Sequence, residues 1–105
     1  MRIELLVVPD CPHAAAAGAL LRQALDDIGL GSLLFAVVTI ESSSVAEQLQ
    51  FLGSPTFMVD GRDLFAEPGR PSALACRIYP GGQSLPGLRD LRRGLKEAAA
   101  ALTGR

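Results

Sequence analysis

The chain carries two thiols, Cys11 and Cys76, and a single histidine, His13, two places after the first of them. Cys11 stands in "VVPDCPH", where an apolar run stops at Pro9 and a helical pattern begins at about Pro12. A thiol at the start of a helix lies near unpaired backbone N–H groups. Those groups and the helix dipole favour the thiolate, the form that attacks disulfides and binds soft metals. A protonated His13 would push in the same direction, although the dipole opposes the imidazolium form. This placement, at a helix start and off any core stripe, favours a reactive thiol over a small buried apolar residue. Asp10 reads as a capping residue.

Pro55 is the second informative residue. In "GSPTFMVDG" it lies between a helix stop and a strand start. It is either an edge feature at a strand's first residue or a cis proline. In the cis case the backbone of Ser54 is left open beside the thiol, available to pair with an extended partner chain. Cys76 lies in "LACRIY". If that segment runs antiparallel to the strand before it, Cys76 returns towards the Pro55 end and approaches Cys11; otherwise it faces the core. A bridge would need Cα atoms within about 7 Å. Arg70 and Arg77 read as solvated charges, with binding of a glutathione-like carboxylate as the alternative.

The elements that position these residues follow from periodicity. Residues 2–8, short and apolar, read as a buried central strand. A helix spans about 12–28, with Leu20, Leu21, Ala24, Leu25 and Ile28 as its apolar stripe and Gly29 as its stop. "LLFAVVTI" (33–40) reads as a second central strand. "ESSS" caps a short helix over about 43–52, ended by Gly53. A third strand covers 56–60, and Asp60-Gly61 closes it with turn chemistry. Residues 61–73 read as a loop, one wall of a cleft or an oligomer contact. Residues 74–79 read as a fourth strand antiparallel to the third. The last helix starts near Leu88, with Leu91, Leu95, Ala98, Ala99 and Leu102 at helical spacing. The order β-α-β-α-β-β-α predicts a single α/β domain over 1–105, with a mixed four-stranded sheet and helices on both faces. Cys11 then falls at the carboxyl end of the first strand, where open α/β sheets bind ligands.

With the motifs "VVPDCPH" and "GSPTFMVDG" in this element order, nearly the whole chain resembles the thioredoxin superfamily. It is similar to short bacterial members that lack the extra N-terminal strand and helix. The resemblance implies that Cys11 matches the nucleophile that attacks a disulfide. It also implies that Pro55 matches the cis proline, and that Pro12, Ser54 and Pro55 hold the substrate. The chain departs from the pattern in "CPHA": Ala14 stands where the resolving cysteine would be. Two-thiol cycling within one motif is therefore excluded. A monothiol route with a protein or a low-molecular-weight thiol such as glutathione remains, as does a resolving role for Cys76. The competing readings are a non-catalytic binding module and a soft-metal or organomercurial site built from Cys11 and Cys76.

Bulk composition narrows the classes further. Apolar residues make up 49% of the 105, enough for a core without staples. A net charge of −1 supplies no field for nucleic acid or an anionic membrane, and 5% aromatic content without Trp leaves no base-stacking platform. The apolar run Leu5 to Val8 is too short for a signal peptide, and no run approaches the ~20 residues of a membrane span. A cytoplasmic location is therefore expected, with both cysteines as thiols. No phosphate-binding glycine loop, carboxylate pair or zinc-spaced cluster is present, so no cofactor is expected.

Overall fold

A computed structural model describes residues 1–103. Position 102 of the last helix's apolar stripe lies outside the residues whose side chains are described. The elements are β1 (Ile3–Val7), α1 (Ala14–Asp27), β2 (Phe35–Thr39), α2 (Ser43–Leu49), β3 (Thr56–Val59), β4 (Arg62–Asp63) and α3 (Leu88–Thr103), with a 3₁₀ turn at Pro80–Gly82. The four strands form one mixed sheet in the order β2-β1-β3-β4. β1 pairs in parallel with β2 and antiparallel with β3, and β3 pairs antiparallel with β4.

β1 is central, as its apolar run predicts, and its alternation serves two cores. Leu5 and Val7 join Phe57, Val59, the α1 residues Ala17, Leu21, Ala24 and Leu25, and the α3 residues Leu91 and Leu95. Leu6 faces the other way, onto Ile40, Ala46, Phe51 and Met58. Helices therefore cover both faces: α1 and α3 on one, α2 on the other. Asp27 of α1 accepts a hydrogen bond from Arg92 of α3 at 2.8 Å, which with the Gln23 bond holds its carboxyl below the usual range.

Two sheet assignments differ from the sequence reading. β2 is an edge strand. Its Val37 is 57% exposed and the adjoining Leu34 is 85% exposed. An uninterrupted apolar run marks a strand but does not say how many neighbours it has. The fourth strand is Arg62–Asp63, inside the stretch read as loop, because the two-residue turn Asp60-Gly61 sends the chain straight back along β3. Both turn residues have positive φ, 50° and 80°, the geometry of a tight hairpin. Residues 74–79 form no strand in the sheet. They contribute single bridges, Ser54 with Cys76 in parallel and Tyr79 with Gln83.

Both early helices are shorter than their patterns. α1 starts at Ala14, so Pro12 and His13 belong to the turn ahead of it, and His13 is an N-cap without a side-chain bond. α2 ends at Gln50, whose φ of 53° makes it the left-handed cap in place of Gly53. Gly53 is spent on a different task, described below.

Candidate functional site

β1 delivers the chain to a tight turn. The Cys11 N–H donates to the Val8 carbonyl at 3.3 Å, with Pro9 and Asp10 as the central residues. Asp10 has φ 56°, the left-handed value that the third position of a type II turn requires. Asp10 is therefore a turn residue and does not cap α1. The turn brings the half-buried Cys11 against Ser54, whose peptide bond to Pro55 is cis.

Ser54 is fully buried, and its hydroxyl links the two loops. The Val8 N–H donates to Ser54 Oγ at 3.1 Å, and Ser54 Oγ donates to Cys11 Sγ at 3.0 Å. The backbone N–H can only donate, so it takes one of the hydroxyl's two lone pairs, and the hydroxyl proton is the group directed at sulfur. The sulfur is then an acceptor, a role that a thiolate fills better than a thiol. The sequence reading assigned Ser54 through its backbone and missed the hydroxyl. The clue available was a hydroxyl residue directly before the loop proline.

The backbone of Ser54 is not open to a partner. Its N–H donates to the Ala75 carbonyl at 2.8 Å, and its carbonyl accepts from the Arg77 N–H at 2.9 Å. The chain's own segment 75–77 fills that edge, running parallel to Ser54 and not antiparallel to β3 as the sequence suggested. Cys76, its central residue, is exposed and does not face the core. Both cysteines are free thiols. The His13 carbonyl accepts from the Ala17 N–H at 2.9 Å, but among the described residues its side chain has no hydrogen bond or ion pair, and none links it to the sulfur. Pro12 likewise lies in the turn without a bond of its own.

Segment 75–77 is held down by Arg77, which is 2% exposed and not the solvated charge that the sequence suggested. Its Nη1 donates to Asp63 Oδ2 at 2.8 Å and to Thr56 Oγ1 at 3.1 Å, and its Nη2 donates to the Phe65 carbonyl at 2.5 Å. Its guanidinium carbon stands 4.9 Å from the centre of the Tyr79 ring. The 61–73 loop thus serves to cage Arg77. It also walls a cleft with Glu47 and Gln50, which does not include Cys11. Arg70, by contrast, is exposed and pairs with Glu67 at 2.6 Å. The alternation of exposed Cys76 and Ile78 with buried Arg77 and Tyr79 is strand-like.

Tyr79 completes the clamp. It is 2% exposed and donates its hydroxyl to the Pro55 carbonyl at 2.5 Å. Burial raises its pKa well above the ordinary phenol value, because the phenolate would lose its water. The folded protein therefore holds this proton to higher pH than the unfolded chain. Stability contributed by the protonated form is complete below about pH 10 and falls as pH rises beyond it, by up to ~1.4 kcal/mol per pH unit. Denaturant midpoints measured from about pH 9 upward should fall with that limb, and Tyr79→Phe should flatten it. An unchanged alkaline limb in the variant would exclude this cause.

Among the described residues, no group of three or more His, Cys, Asp and Glu side chains could hold a metal ion, so the soft-metal reading is left with the two thiols alone. No described helix is long and apolar enough to cross a membrane. No protein-family model, curated protein or solved structure matches the chain, and the site's chemistry stands on its own geometry.

Proposed function

We propose that this is a thioredoxin-like thiol protein in which Cys11 attacks disulfides and forms a mixed disulfide with the substrate sulfur. The observation that carries the reading is the Ser54 hydroxyl, which donates to Cys11 Sγ at 3.0 Å while it accepts from the Val8 N–H. That arrangement aims a hydroxyl donor at the sulfur of a half-buried cysteine just beyond the carboxyl end of the central strand. The fold is compatible: a mixed four-stranded sheet with helices on both faces, and a proline loop facing the β1–α1 turn. Ala14 denies the motif a second thiol, so the mixed disulfide has to be resolved by a thiol from outside the motif.

The test compares the two thiols in the native protein. Cys11 is expected to be alkylated by iodoacetamide at neutral pH faster than the more exposed Cys76, and Cys11→Ser to abolish exchange with a disulfide probe. Ser54→Ala should slow Cys11 alkylation by about 3–10-fold through loss of the hydroxyl donor and leave Cys76 unchanged. Slower alkylation of Cys11 than of Cys76 would sink the proposal and leave a binding module.

A further inference from the structure

Resting on the Cys11 reading, the geometry points to Cys76 as the resolving thiol of Cys11, with a low-molecular-weight disulfide as substrate. Two observations carry it. The first is the register across Ser54. Cys76 is its bridge partner, and paired residues of adjacent strands lie about 4.8 Å apart with side chains on a common face. The Ser54 hydroxyl on that face touches Cys11 Sγ. Cys11, through its sulfur, and Cys76, through its backbone register, are therefore both neighbours of Ser54. Cys76 is exposed, and among the described residues its own N–H and C=O have no hydrogen-bond partner. Its neighbours are fixed: Ala75 and Arg77 are tied to Ser54, and Arg77 to Asp63 and Thr56.

The second observation selects the substrate. An extended polypeptide would dock on the backbone of Ser54, but both groups there are already taken by residues 75 and 77. The chain's own segment 75–77 stands where a peptide would lie. A small disulfide needs no strand pairing to reach the sulfur of half-buried Cys11.

The chemistry balances with a disulfide RSSR as oxidant. The Cys11 thiolate attacks one sulfur, the S–S bond breaks, and RS⁻ leaves and takes up a proton. The Cys76 thiol then loses its proton, attacks Cys11 Sγ and expels the second RS⁻, which is protonated in turn. The two thiols have given up two electrons and two protons, the substrate has become two RSH, and the protein holds a Cys11–Cys76 disulfide. Excess RSH reverses the sequence.

The full chain is incubated with oxidised glutathione, quenched with acid and examined by intact mass and peptide mapping without reductant. The wild type should pass to the internal disulfide. Cys76→Ser, a change at an exposed position verified by circular dichroism, should accumulate a glutathionyl group on Cys11 that persists at least ~10-fold longer. A glutathionyl group on wild-type Cys11 that lasts as long as in Cys76→Ser, or a disulfide between two chains, overturns the inference and leaves Cys11 as a monothiol nucleophile. No glutathionyl group on Cys11 in either protein overturns the parent reading as well.

Discussion

Arg77→Ala is expected to destabilise the protein by about 3–5 kcal/mol, the usual cost of removing one partner from a buried ion pair. The loss has identifiable parts. Asp63 keeps a carboxylate that is nearly buried, with 11% of its side chain exposed, and loses its cation. The Phe65 carbonyl loses its donor, and the Tyr79 ring loses the guanidinium packed against it. For a domain of this size the change should lower the melting temperature by about 15 °C or more. Volume is separable from charge. Arg77→Met keeps most of the packing and should still be costly, whereas Arg77→Met combined with Asp63→Leu should recover part of the loss, because no charge is then left buried. Denaturant unfolding of the three variants measures this. A loss below about 1 kcal/mol for Arg77→Ala would mean that the network is not what fastens segment 75–77.

That network also marks where the sequence stopped being informative. β1, the Asp60-Gly61 hairpin turn and the start of α3 at Leu88 were readable because each depends on residues within one turn or one strand. The resemblance in "VVPDCPH" and "GSPTFMVDG" put Cys11 and the Ser54–Pro55 loop on the same list, and the structure brings those two together. What was not readable depends on which distant segment arrives. β2 has the composition of a central strand, yet it is an edge because β3 returned to the other side of β1. Residues 74–79 alternate like a strand, but β4 had already taken the place beside β3, leaving them only a parallel bridge to Ser54. Arg77 looked solvated because arginine usually is. Its burial requires Asp63, Phe65 and Thr56 to converge from three other points of the chain. His13 shows the reverse case: closeness to Cys11 in sequence produced no bond in space.

Gly53→Ala is expected to be nearly as damaging, and it acts directly on the candidate site. Gly53 has φ 127°, a value that L residues seldom adopt, and a Cβ there would lie 2.9 Å from Arg77 Cβ and 3.0 Å from Arg77 Cα and N. Those are the backbone and Cβ of the tied-down segment 75–77 and not the end of a flexible side chain, so the segment itself has to move. Backbone strain and overpacking together should cost about 2–3 kcal/mol. Gly69→Ala supplies the control: its φ of 85° carries the conformational penalty, but nothing lies within 4 Å of its Cβ, so about 1–2 kcal/mol is expected. The difference between the two combines the close approach with the less accessible φ of Gly53. The displaced segment should also show itself in amide exchange. The Ser54 and Arg77 amides, which bond across this contact, should lose protection in Gly53→Ala and keep it in Gly69→Ala. Because Cys76 sits between Ala75 and Arg77, the two residues bonded to Ser54, the same variant should prolong the glutathionyl adduct on Cys11 although both cysteines remain. Full protection of the Ser54 and Arg77 amides in Gly53→Ala would show that Gly53 is dispensable to the pairing, and that Cys76 is held beside Ser54 by Arg77 alone.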